Sequence, residues 1–234
     1  MKYEIYGGHL PAVEISLDRG ESIYTQSGAM AWMSDQITLE TNMKGGFLKS
    51  LGRAFSGDSL FMATWTADTD DQRITLSTDL PGEIKAFELD GSMEYIAQKG
   101  AFLGATSGVN FEAVLNKKIG AGLFGGEGFV LQKYSGVGTM FVEMDGSIRE
   151  VELKAGERLK VSTSKLALFE ATCSYDIETV KGFKNVLFGG EGLFMTVING
   201  PGKVWLQSMT VADLAKRVIP FLPTSNTTTT SSSN

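Results

Sequence analysis

Leu123-Phe124-Gly125-Gly126-Glu127-Gly128 returns letter for letter as Leu187-Phe188-Gly189-Gly190-Glu191-Gly192, 64 positions downstream. A degraded copy, Phe55-Ser56-Gly57-Asp58-Ser59-Leu60-Phe61, lies upstream, with Phe55 preceding Phe124 by 69 positions. A motif met repeatedly at nearly constant spacing is a period, and it fixes the architecture before any local reading. The period holds away from the motif. Leu89 and Leu153 keep the 64-residue offset, as do Gly136-Val137-Gly138 and Gly200-Pro201-Gly202. Gln26-Ser27-Gly28-Ala29 falls on Gln98-Lys99-Gly100-Ala101 at an offset of 72. The chain therefore reads as three similar units, residues 1–72, 73–147 and 148–207. A helix over 208–223 and a polar tail over 224–234 follow them.

Within the units the pattern is that of strands. Val13, Ile15 and Leu17 alternate with Glu14 and Ser16, which has the period of a strand with one buried face. Ile23 to Met33, Ile37 to Glu40, Leu60 to Thr66 and Arg73 to Thr78 continue in extended form. In the second unit, Ala86–Leu89 and Met93–Ala97 read as a hairpin around Asp90-Gly91. Phe129–Tyr134 and Thr139–Met144 read as a pair across Ser135-Gly136-Val137-Gly138. The third unit runs Glu150–Leu153, Arg158–Ser162, Ala167–Ala171, Leu193–Ile198 and Lys203–Gln207, with Asn199-Gly200-Pro201-Gly202 as its hairpin turn. Short strands between regular turns predict an all-β fold, three sandwich-like or short double-stranded β-helix units. The terminal helix, Thr210 to Ile219, has a capping-box start at Thr210-Val211-Ala212-Asp213. Its apolar stripe is Val211, Leu214, Ala215 and Val218, and Pro220 and Pro223 stop it.

Composition narrows the function classes. The chain has 234 residues, 42% of them hydrophobic, and a formal net charge of −6. That acidic balance offers nothing to DNA and little to anionic lipid. One cysteine, Cys173, excludes an intrachain disulfide. The N-terminus lacks the apolar run of a signal peptide, and no run approaches the roughly 18 apolar residues that span a bilayer. A cytoplasmic, reducing compartment is the expectation.

The triplicate organisation, the Leu-Phe-Gly-Gly-Glu-Gly motif in units two and three, and the early Gln26-Ser27-Gly28-Ala29-Met30 resemble one bacterial and archaeal family. Its members are related to the fungal "altered inheritance of mitochondria" protein associated with the inner membrane, and the likeness covers roughly Met1 to Pro223. The resemblance implies a fold like the tryptophan RNA-binding attenuation protein and chains that close into a trimeric ring. It implies no enzymatic activity and no cofactor.

Candidate chemistry is sparse. Gly120-Ala121-Gly122-Leu123-Phe124-Gly125 matches G-x-G-x-x-G, but a strand pattern follows it where a dinucleotide site needs a helix. Consecutive glycine N–H groups at Gly125, Gly126, Gly189 and Gly190, near Lys117, Lys118, Lys181 and Lys184, could form an anion nest. Glu127 and Glu191 would repel that anion, so close packing of backbones is the preferred reading. His9 is the single histidine, too few for the ligand set of a cupin-type metal site. Asp68, Asp70 and Asp71 read as a solvated turn rather than a cation site. Lys44, Phe47, Leu48, Lys49, Leu51, Arg53 and Phe55 fit either a membrane surface or a subunit contact, the second preferred. Lys133-Tyr134 is the one base-stacking pair at a unit hairpin. The expectation is a non-enzymatic, ring-forming homotrimer that serves assembly, open to other protein partners and free of catalytic groups, metal and cofactor. A regulator binding a small ligand or RNA, and a peripheral membrane protein, are the alternatives.

Overall fold

The computed structural model describes residues 1–40, 62–114, 130–179 and 194–222. The strands are β1 (Lys2–Tyr6), β2 (Ala12–Leu17), β3 (Ser22–Gln26), β4 (Met30–Met33), β5 (Ile37–Glu40), β6 (Met62–Ala67), β7 (Gln72–Ser77), β8 (Gly82–Asp90) and β9 (Tyr95–Gln98). They continue as β10 (Phe102–Thr106), β11 (Val109–Val114), β12 (Leu131–Asp145), β13 (Ile148–Leu153), β14 (Arg158–Ser162), β15 (Leu166–Glu170), β16 (Ser174–Thr179), β17 (Phe194–Asn199) and β18 (Gly202–Gln207). Among the described residues one α-helix, α1 (Val211–Val218), follows. The protein is predominantly β with a C-terminal helix, as its alternating runs dictate.

β2 shows how the alternation works. Val13, Ile15 and Leu17 are buried while Glu14 and Ser16 stay half-buried. The turn after it closes on itself, with Glu21 N–H donating to the Asp18 carbonyl and Asp18 N–H to the Glu21 carboxylate. The turn before β14 makes the same two bonds, between Lys154 and Glu157.

All strand pairs among the described residues are antiparallel, and two composite sheets carry most of them. The first runs β5-β6-β3-β10-β12-β8. The second runs β11-β12-β9-β15-β18-β13. The 15-residue β12 is shared: residues 131–136 belong to the second sheet and 137–145 to the first. Two shorter sheets stand at the ends, β1-β2-β7-β4 and β14-β17-β16. Three apolar clusters fill the spaces between sheets. One is centred on Ile15, Ile74 and Phe141, one on Phe102, Tyr134 and Met140, and one on Leu166, Phe169 and Ile198.

Three turn assignments change. β8 pairs with the second half of β12 and β9 with the first half, so Asp90-Gly91 is a corner between sheets and not a hairpin. Ser135-Gly136-Val137-Gly138 is no turn, because β12 runs straight through it with a bend. Gly136 has φ +101°, and a Cβ there would collide with the Gly108 carbonyl oxygen, so the bend needs glycine. Asn199 to Gly202 is likewise a corner, since β17 pairs with β14 and β16 while β18 pairs with β13 and β15. Two apolar runs around a glycine look alike in sequence whether the chain reverses or changes sheets. The extended Ile23–Met33 stretch is two strands, broken at Gly28, where φ is +89°.

Candidate functional site

Sequence-predicted Gly125, Gly126, Glu127, Gly189, Gly190 and Glu191 lie outside the described residues, as do the G-x-G-x-x-G stretch, the neighbouring lysines and the 44–55 segment. The described candidates do structural work. Asp70 accepts Arg19 N–H at 2.9 Å and Asp68 accepts the Thr38 hydroxyl at 2.6 Å. Among the described residues no cluster of three His, Cys, Asp or Glu could hold a metal ion. His9 is exposed and uses its backbone carbonyl, which accepts Gly82 N–H at 2.9 Å. Lys133 and Tyr134 point to opposite faces of β12. The lysine bridges Glu112 (2.9 Å) and Glu94 (3.4 Å), while the tyrosine is fully buried, donating to Gln132 Oε1 at 2.7 Å. Neither geometry offers a base a stacking platform. Cys173 is buried, and that burial pushes its thiol pKa up.

One group escaped sequence reasoning. Glu143 sits on β12 opposite Ile84, on the same face as Phe141, which belongs to the first apolar cluster. Burial, and then the nearby charges of Asp145 and Asp79, push its carboxyl up to about 8. Asp145 is raised as well, by burial, against the Val211 N–H that it accepts and the charge of Lys165. A glutamate in an alternating strand looks solvated, so only the tertiary stacking reveals it. The folded state holds a proton that the unfolded chain releases above the ordinary value of 4.5. Stability therefore falls as pH rises from there toward 8. Glu143→Gln should leave the melting temperature nearly unchanged at pH 5 and raise it at pH 8. Melts at the two pH values check this, and an equal shift at both would contradict it.

Two of the sheet edges left open among the described residues belong to β4 and β14. β4 pairs with β7 on one side, and among the described residues nothing pairs with its other side. β14 likewise pairs with β17 alone. Unpaired edges present rows of N–H and C=O groups that template further pairing. Elsewhere in the molecule two other such strands are joined across sheets. β10 pairs with β3, placing Gly104 opposite Thr25, Ala105 opposite Tyr24 and Thr106 opposite Ile23. β15 pairs with β9, placing Leu168 opposite Ala97, Phe169 opposite Ile96 and Glu170 opposite Tyr95. At the second joint Gln98 Nε2 also donates to the Thr163 carbonyl at 2.9 Å and to that of Leu166.

The strands in question share one irregularity. β4 shifts register against β7 between Met30 and Trp32, β10 against β12 between Phe102 and Gly104, and β15 against β18 between Leu166 and Leu168. The open edge of β4 carries exposed apolar groups, with Trp32 56% and Met33 38% exposed. On β14, Arg158 and Lys160 bond the Glu178 carboxylate, at 3.5 and 2.6 Å.

Comparison with known proteins follows the same extent of chain. A family model described as mitochondrial biogenesis AIM24 matches residues 3–209. An uncharacterised protein of Streptococcus pyogenes serotype M6 is 32% identical over 225 residues, which span 92% of this chain and 88% of that relative. The X-ray crystal structure of a Streptococcus pyogenes protein is similar at a TM-score of 0.78 and 27% identity, covering 94% of this chain and 99% of that one. No helix among the described residues is long and apolar enough to cross a membrane.

Proposed function

The chain belongs to the mitochondrial biogenesis AIM24 family, and from that footing we propose that it is a non-enzymatic assembly protein whose copies join edge to edge into a ring. The single observation that carries the reading is the pair of open edges, β4 and β14. They lack on their open sides the kind of pairing that β10 with β3 and β15 with β9 complete within the chain.

In this reading the molecule is three equivalent units. β2-β7-β4, β8-β12-β10 and β13-β18-β15 are one half of each, and β3-β6-β5, β9-β12-β11 and β14-β17-β16 the other. The first unit then ends after Ser77 rather than at residue 72, because β7 completes its sheet with β2 and β4. The second half of each unit receives the first half of the next unit at its edge, β10 on β3 and β15 on β9. Among the described residues no further unit follows the third or precedes the first. A second copy supplies both.

The offsets of 72 and 64 carry the joint forward residue by residue. Trp32 of one copy falls opposite Val161 of its neighbour, Met33 opposite Lys160, and Ser34 opposite Leu159. Such a contact is heterologous, so it closes into a ring or runs on as a filament. The resemblance to ring-forming relatives favours closure at three copies. Sedimentation equilibrium at micromolar concentration should give three times the 25.2 kDa chain mass. A monomer across that range would contradict the reading.

A further inference from the structure

We infer that α1 docks its apolar stripe on the segment between β1 and β2 of the neighbouring copy, a conclusion that rests on the ring reading above and extends it. None of the residues of α1 is buried, although Val211, Leu214 and Val218 form one stripe. Val211 is 64% exposed and Phe221, just beyond the helix, 86%. The helix is nevertheless held firmly at its start. Thr210 caps it by accepting Asp213 N–H at 3.2 Å, Asp145 accepts Val211 N–H, and Lys165 reaches both the Asp213 carboxylate and the Ser208 carbonyl. An amphipathic helix fixed in place with its apolar face in water is an incomplete contact.

The connections between strands say what completes it. Gly82 N–H donates to the His9 carbonyl at 2.9 Å, Gly146 N–H to that of Pro81 at 2.8 Å, and Met209 N–H to that of Asp145 at 3.2 Å. His9, Pro81, Asp145 and Met209 are successive equivalents, separated by 72, 64 and 64 positions. Pro81 lies between the end of β7 and the start of β8, and Asp145 ends β12 just before β13. Met209 follows β18, and among the described residues no strand follows it. The strand due at that point is β2 of the next copy, which His9 and Leu10 introduce.

The helix therefore leaves one chain where the neighbour's β2 enters. Leu10 is 63% exposed and Tyr6 39%, and both are apolar groups available to meet Val211 and Leu214. The tail from Thr224 to Asn234 consists of Ser, Thr and Asn alone, and has nothing apolar to lay over the stripe.

The test uses the full chain. Leu10→Cys combined with Leu214→Cys should give chain-to-chain disulfides on mild oxidation, absent from either single variant. Leu214→Asp with Val218→Asp, whose positions are unburied and should leave the circular dichroism unchanged, should raise the concentration at which the oligomer dissociates roughly tenfold. An oligomer of unchanged strength and no cross-link would overturn the inference while leaving the ring intact. The same overturning result, with lost binding to vesicles containing phosphatidylserine, would give the stripe to a lipid surface. A monomeric wild-type protein would instead remove the ring reading itself, and the mass alone distinguishes that case.

Discussion

Trp32→Asp should produce a folded protein that sediments as a monomer at micromolar concentration. Trp32 is more than half exposed on β4 and belongs to none of the three apolar clusters, so its loss leaves the interior intact. In the ring it becomes the largest apolar group at the joint, opposite Val161 of the neighbour. An aromatic anchor of this kind typically contributes 2 kcal/mol or more to an interface, about thirtyfold or more in affinity. The aspartate adds a second penalty, because its carboxylate must lose water without gaining a cation, and a charge on an edge strand blocks pairing directly. Together these should weaken association by at least ~100-fold. Circular dichroism should be unchanged and the oligomer lost. A variant that still sediments like the wild type would place the subunit contact elsewhere.

In the proposed ring, the residues that would hold the place of Trp32 inside the chain account for a chain-to-chain joint being the sensitive one. Gly104 and Leu168 hold its place at the two joints within the chain, opposite Thr25 and Ala97. There the linking residues are covalently continuous, so pairing costs no association entropy. Between chains the same register has to offset that cost, and a bulky exposed tryptophan in place of glycine is consistent with the need. The outward residues of β2 and β7, Glu14 and Arg73, pair with each other at 3.2 Å, whereas the equivalent face of β8 and β12 presents Ile84 and Phe141 to the first apolar cluster.

Much of the strand content is legible from single residues. Val13, Ile15 and Leu17 announce β2, β14 starts and stops at Arg158 and Ser162 as its pattern requires, and Thr210 marks the helix cap. Alternation is a local property and survives any choice of partner. Pairing is not local. Nothing near Asp90-Gly91 or Gly136 says whether the chain folds back or crosses to another sheet, because glycine at positive φ serves both. β1 also escapes such reading, since it lies at an edge with every residue exposed. Glu143 was hidden for the opposite reason, a charged residue on the face that carries Phe141, whose cover comes from packing that its own strand does not announce. The repeated Gly-Gly-Glu-Gly stretch set the period from which the joints follow, although the stretch itself lies outside the described residues. The open edges become visible only when the spacing and the pairing are laid side by side: neither the 64-residue offset nor the β15–β9 register alone names Trp32 or Val161.

The register proposed for the joint is tested directly by a disulfide. Thr106 lies opposite Ile23 and Glu170 opposite Tyr95, and in the proposed ring the same offsets would bring Ser34 of one copy opposite Leu159 of the next. Directly opposed antiparallel residues have Cα atoms roughly 4.5–5.5 Å apart, inside the span a disulfide bridges. Cys173 is buried and should not compete. Ser34→Cys/Leu159→Cys protein, oxidised mildly and run without reductant, should therefore give linked dimers and trimers, with the closed trimer still sedimenting as wild type. Neither single variant should do so, nor should a pair displaced by one residue, Met33→Cys with Leu159→Cys. An oligomer that forms normally while Ser34→Cys/Leu159→Cys fails to cross-link would show that the copies do not meet through β4 and β14.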